Sequence, residues 1–185
     1  MASRPVSDQA ATSPDPVGYN GKPDQFSIYS GEPVVALDEI MENPGFPEVV
    51  NSLEPDGLVL AGGGATTDIL FCHEGPEGFS LANVRFAPEA ILPAHKHNVD
   101  CLYFVKSGWI MLGQRRLDVG AGFYVPAGAV YGYRAGEQGA EVLEFRHATR
   151  FDITVTENSL SRWQQIVDVA RAHNGWPGVL TPEAS

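Results

Sequence analysis

From Phe79 to about Val155, apolar and polar residues alternate in short runs: FSLANVRF, CLYFVKS, GWIMLGQ, GFYVPA, VYGYRA, AEVLEFRH and FDITV. Successive side chains of a strand point to opposite faces, so this period of two predicts half-buried β-strands. Turn residues separate the runs at Ala87-Pro88, Gly108, Gly113, Gly120, Gly128 and Gly136. About ten short strands with closely spaced turns predict an all-β barrel or sandwich. The period then changes. In SLSRWQQIVDVARAHNG, Leu160, Trp163, Ile166, Val167 and Ala170 share one helical face. Asn158 or Ser159 is placed to cap this helix, and Asn174-Gly175 to end it. Its apolar face reads as packing surface for the core or a second subunit.

The first half is less regular. Residues 1–24 carry Pro5, Pro14, Pro16 and Pro23 among polar residues and few apolar anchors. They predict a flexible arm, or one that orders across a partner subunit. Residues 34–53 allow two short helical turns, interrupted at Pro44 and Pro47. In LVLAGGGATTDILFCHE the apolar pieces read as strands and Gly62-Gly63-Gly64 as a turn. This is no phosphate loop, because the Gly-Lys-Ser/Thr ending is missing. The expected organisation is an arm (1–24), an irregular or helical lead-in (25–57), a barrel (58–156), a C-terminal helix (157–176) and a tail (177–185).

Composition narrows the partners. The 185 residues suit one domain able to bury a sizeable core. A net charge of −11 argues against nucleic acid, whose phosphates need a basic surface, and against anionic membrane surfaces. No apolar run approaches the roughly 20 residues of a membrane span, and the N-terminus lacks the apolar stretch of a secretory signal. Cys72 and Cys101 make no disulfide framework. A cytoplasmic protein that handles a small molecule is the expectation.

The chemistry begins at His95-Lys96-His97. On a strand, residues i and i+2 share a face, so two imidazoles can grip one ion from the same side. The spacing around them in HKHNVDCLYFVKSG and GAGFYVPAGAVY resembles the two motifs of the cupin superfamily, Gly-x5-His-x-His-x3–4-Glu-x6-Gly and Gly-x5-Pro-x-Gly-x2-His-x3-Asn. The resemblance covers roughly residues 79–147. It implies an antiparallel cupin barrel (a double-stranded β-helix or jelly roll) with the C-terminal helix beside it, and a homodimer.

The departures fall on ligand positions. Cys101 stands where the pattern has Glu, Tyr131 where it has the second-motif His, Ala135 where it has Asn, and Glu89 where it has the opening Gly. His95 and His97 carry over as metal ligands. Cys101 has two readings, a small buried hydrophobe or a thiolate ligand for a soft metal. Asp100, next to it, should face the other way. A third imidazole is expected at His147. Leu143, Phe145 and His147 share one strand face, and the more apolar face should point into the barrel. Tyr103 shares the face of Cys101, and Tyr131 and Tyr133 lie near the barrel mouth. A phenol there donates a hydrogen bond or serves as acid or base, making Tyr131 and Tyr103 the candidate catalytic residues. Adjacent Cys72 and His73 face opposite sides, and His173 sits near a helix end, where a cation favours the dipole.

The resemblance implies a metal-dependent enzyme, foremost a dioxygenase with Fe(II) on His95, His97 and His147; zinc, nickel and copper suit the same ligands. Two alternatives stay open. One is a non-redox isomerase, lyase or cyclase working through an ion or through Tyr/His acid–base chemistry. The other is a non-catalytic small-molecule-binding cupin.

Overall fold

The computed structural model describes residues 19–22, 25–73, 75 and 78–176. The expected tail, and the expected arm apart from residues 19–22, lie outside them. The lead-in holds a helical turn α1 (Leu37–Ile40), a two-residue strand β1 (Met41–Glu42), a 3-10 turn at Glu48–Ser52 and a short helix α2 (Gly57–Gly62). Then come β2 (Ala65–Cys72), β3 (Ser80–Phe86), β4 (Ile91–Lys96), β5 (Cys101–Leu112), β6 (Arg115–Asp118), β7 (Gly122–Val125) and β8 (Tyr131–Arg146). Two short strands, β9 (Phe151–Asp152) and β10 (Thr154–Val155), precede the helix α3 (Leu160–Ala172).

The main sheet is antiparallel and curls into a half-barrel, consistent with the expected cupin-type jelly roll. Its order is β10-β4-β8-β3-β2, with β5 on the other edge of β8 and both β6 and β7 paired to β5. Strand β8 is the spine: β4 pairs with its first half, β3 with its second, and β5 with both. The alternation predicted for β5 holds. Cys101, Tyr103 and Val105 are buried, while Leu102 and Phe104 face outward.

Two expectations are corrected. Gly108 and Gly136 do not end strands; β5 and β8 run through them. The chain bends at Gly108, where φ is +65° and the β5–β8 register slips on either side. A Cβ there would sit 2.3 Å from the Gly139 carbonyl oxygen, so this glycine serves a close backbone approach. The Leu58–Leu60 run, expected as strand, lies in helix α2. A short apolar run has no periodicity by which to tell the two apart. Its helix packs against α3 rather than joining the sheet.

Helix α3 follows its pattern. Trp163, Ile166, Val167 and Ala170 are buried, and the Ser159 side chain accepts from Arg162 N–H. Asn174 and Gly175 take positive φ at the end. Trp163 donates its indole N–H to the Glu157 carbonyl at 2.8 Å, so its ring buries no unmet donor. No helix among the described residues is long and apolar enough to cross a membrane.

Candidate active site in the barrel

His95 lies on β4 and His97 one residue past its end, both pointing into the barrel and almost wholly buried. Their ring centroids are 5.1 Å apart. The Pro126-Ala127-Gly128 turn locks this stretch, because Gly128 N–H donates to the His97 carbonyl at 2.8 Å. Gly128 takes φ +78°, so the turn favours glycine there. On the outside, Asp100 Oδ1 accepts from Ala127 N–H at 2.8 Å, a bond that holds its carboxyl below the ordinary pKa. The histidine segment and the proline–glycine turn thus support each other.

Each imidazole is held in one tautomer. His95 Nδ1 bonds the Pro93 carbonyl at 2.9 Å, and His97 Nδ1 bonds the Asp152 carbonyl. A carbonyl oxygen only accepts, so Nδ1 carries the proton and Nε2 keeps its lone pair. Burial, above all, lowers the pKa of His95 to about 4 and of His97 to about 3, and the nearby Arg146 charge adds to both effects. Both rings are neutral acceptors near pH 7.

The same cavity, about 120 Å³, contains an ion pair that the sequence reading placed outside. The inward residues of β8 are Val142, Glu144 and Arg146; Leu143 and Phe145 lie on the other face. Arg146 Nη2 donates to Glu144 Oε2, and Tyr133 Oη donates to Glu144 Oε1 at 3.3 Å. The guanidinium lies 4.0 Å over the Phe151 ring. Burial opposes its charge, but Glu144 and the surrounding groups more than offset that, so its pKa lies above the ordinary value. Arg146 Nε and Nη1 are buried without a hydrogen-bond partner among the described residues.

This reversal moves His147. It is exposed, just beyond β8, with its ring 6.0 Å from Phe79 and beside Asp100 and Tyr124 on the outer surface. The inward-facing third imidazole is therefore corrected: hydrophobicity pointed to the Leu143/Phe145 face, but a mutually satisfied ion pair occupies the interior. Cys101 faces inward and is buried, its S–H 3.6 Å from the Val99 carbonyl. Burial raises its pKa, so it packs as a thiol here. Tyr103 and Tyr131 share a hydroxyl–hydroxyl hydrogen bond, and the Tyr131 ring packs 4.2 Å from that of His95. Burial holds both phenols well above their ordinary pKa, and so protonated.

The donor set suits a divalent metal only in part. Two imidazoles offer Nε2 in the ligating tautomer, but no group of three or more His, Cys, Asp or Glu able to hold an ion forms among the described residues. Glu144, the carboxylate that lines the same cavity, is engaged by Arg146. The residues do not complete a metal site.

No protein-family model matches the chain, and no curated protein does. Among solved structures it is similar to KdgF from Halomonas sp. (26% identity, 45% of this chain and 78% of that one, TM-score 0.40). It is also similar to an RmlC-like cupin from Shewanella frigidimarina (19%, 46% and 77%, TM-score 0.39). A third is the polyketide cyclase RemF from Streptomyces resistomycificus (16%, 57% and 82%, TM-score 0.45). The His-x-His segment on β4, the proline–glycine turn bonded to it and the antiparallel barrel that carries both are similar to the cupin pattern that the sequence resembles.

Proposed function

We propose that the chain is a non-redox cupin enzyme that moves a proton on a small carbonyl-bearing molecule, in the class of isomerases, lyases and cyclases. One observation carries this reading. Two imidazoles spend Nδ1–H on backbone carbonyls and keep Nε2 as acceptors, in one cavity with a buried guanidinium that has donors to spare.

The chemistry follows from charge. A C–H bond next to a carbonyl breaks, its proton goes to Nε2 of His95 or His97, and the electron pair moves onto the carbonyl oxygen. One unpaired N–H of Arg146 stabilises that oxyanion in a site from which bulk water is excluded; one such donor is worth roughly 10²–10³ in kcat. The proton held on Nε2 then returns to the substrate at a neighbouring atom, while Tyr131, packed against His95 and hydrogen-bonded to Tyr103, keeps its own proton and closes that side of the site. Arg146 is one cause of the low imidazole pKa values, so an anion forming beside it makes the histidines better bases.

The second reading is an Fe(II)-type dioxygenase on His95 and His97, with Cys101 completing the ligands. The same tautomers favour it, because ligating imidazoles commonly hold their other N–H on a carbonyl.

The test uses the full chain, treated with chelator and then either left bare or reloaded anaerobically with Fe(II). Proton NMR in D2O follows exchange next to the carbonyl in a panel of 2-oxo acids and diketones, and an oxygen electrode follows uptake. Exchange that survives chelation and falls about a hundredfold in His97→Gln supports proton transfer. Iron-dependent oxygen uptake transfers the case to the second reading. Saturable binding with neither activity leaves the non-catalytic binding module.

A further inference from the structure

The histidine cavity adjoins a second one. A largely apolar cavity of about 180 Å³ lies between the barrel edge at β4 and helices α2 and α3. Phe46, Leu58, Ala61 and Trp163 line its far end. Met41, Ala65, Phe86, Leu92 and Ile153 border both cavities. The two cavities are therefore neighbours, the histidine cavity polar and the second aromatic and aliphatic. An apolar cavity of roughly 150 Å³ accepts one benzene ring, so the second cavity has the size of a single aryl group.

The polar end has its own requirement. Arg146 is 4% exposed, and two of its nitrogens, Nε and Nη1, have no partner among the described residues. Buried donors are almost always satisfied, and a lone one is costly. A ligand that brings acceptor oxygens to the guanidinium meets that need. The neutral Nε2 atoms alongside carry no charge and accept a hydrogen bond from a hydroxyl group. Glu144 holds only one corner of the guanidinium, through Nη2. The planar guanidinium suits a carboxylate better than a single hydroxyl does.

We infer that the substrate class is a small aromatic carboxylic acid, its carboxylate on Arg146 and its aryl group in the cavity beside Trp163. This rests on reading the barrel cavity as a small-molecule site. It adds which molecule fits, independently of what reaction follows.

Three probes separate the two ends: 4-phenylbutanoate, the matching alcohol 4-phenylbutan-1-ol, and butanoate. Titration of the full chain by tryptophan fluorescence and calorimetry is expected to show the phenyl acid binding about tenfold or more tighter than either of the others. Arg146→Met strands Glu144 and destabilises the barrel, so the anchor is tested in the charge-neutral pair Glu144→Gln/Arg146→Met. That variant should lose about tenfold for the acid while binding the alcohol as before. Ala61→Phe, which fills the apolar end from α2, should weaken both phenyl compounds and leave butanoate unchanged. Acid and alcohol of equal affinity, no preference for the phenyl group, or no binding by any probe would each overturn the inference. Phenyl acids that bind but exchange no proton would sink the proton-transfer reading alone. Exchange confined to acids without an aryl group would sink this inference alone.

Discussion

Removing one member of the Glu144–Arg146 pair should destabilise the barrel far more than removing both. The side chains are 7% and 4% exposed, so a lone survivor has almost no water to solvate it. In Arg146→Met, Glu144 keeps, among the described residues, only the Tyr133 hydroxyl at 3.3 Å. In Glu144→Gln, Arg146 loses its only charge partner among the described residues and already has two nitrogens without a partner among them. Breaking a buried pair from one side costs about 3–5 kcal/mol, whereas replacing both partners with uncharged groups is often near neutral. A domain of this kind has roughly 5–15 kcal/mol in all. At about 2–4 °C per kcal/mol for this chain length, each single variant should melt on the order of 10 °C lower. Glu144→Gln/Arg146→Met should lie within about 1 kcal/mol of the parent, giving a coupling of about 5 kcal/mol or more. Urea titrations of all four proteins by tryptophan fluorescence, compared at constant m, supply the cycle. Additive losses would refute a mutually dependent buried pair.

Three further outcomes follow from the same geometry. The folded-state pKa values of His95 and His97, about 4 and about 3, lie below the unfolded value near 6.5, so between these limits the unfolded chain binds more protons. Stability should be full above about pH 6.5 and fall as pH drops toward 4 and then 3; thermal melts against pH should show this slope, and it should flatten in His95→Gln/His97→Gln. Cys72 and Cys101 are buried with raised pKa values, that of Cys72 at about 11, so neither should react with a thiol reagent at pH 8 until urea unfolds the chain. Gly108→Ala should destabilise more than Gly128→Ala in urea: both hold positive φ, worth about 1–2 kcal/mol, but only at Gly108 does the new methyl meet backbone, at 2.3 Å.

Much of this fold is written locally. Period two along β5 sends Cys101 and Tyr103 inward and Asp100 outward, and His-x-His brings two imidazoles together because strand geometry leaves no other choice. Ser159 caps α3 through the chemistry that marks such positions. Non-local geometry was harder to read. Gly108 and Gly136 look like turns in sequence, but they make room in the sheet for Gly139 and for the Trp109 ring. On β8 both faces are of mixed polarity. Leu143 and Phe145 outweigh Val142 in apolar surface, yet Val142 is the one at 0% exposure. The overlooked signal was Glu144-x-Arg146, opposite charges on one strand face, which can be buried only as a pair.

The sharpest measurement is metal binding by the chelator-treated full chain. It is titrated anaerobically with Co(II), followed by its visible spectrum, then desalted and analysed for metal per subunit. A barrel whose interior cation is Arg146 should retain well below one ion per subunit, with no ligand-field bands. One tightly held ion per subunit, lost in His97→Ala, would contradict the account and return the site to metal chemistry.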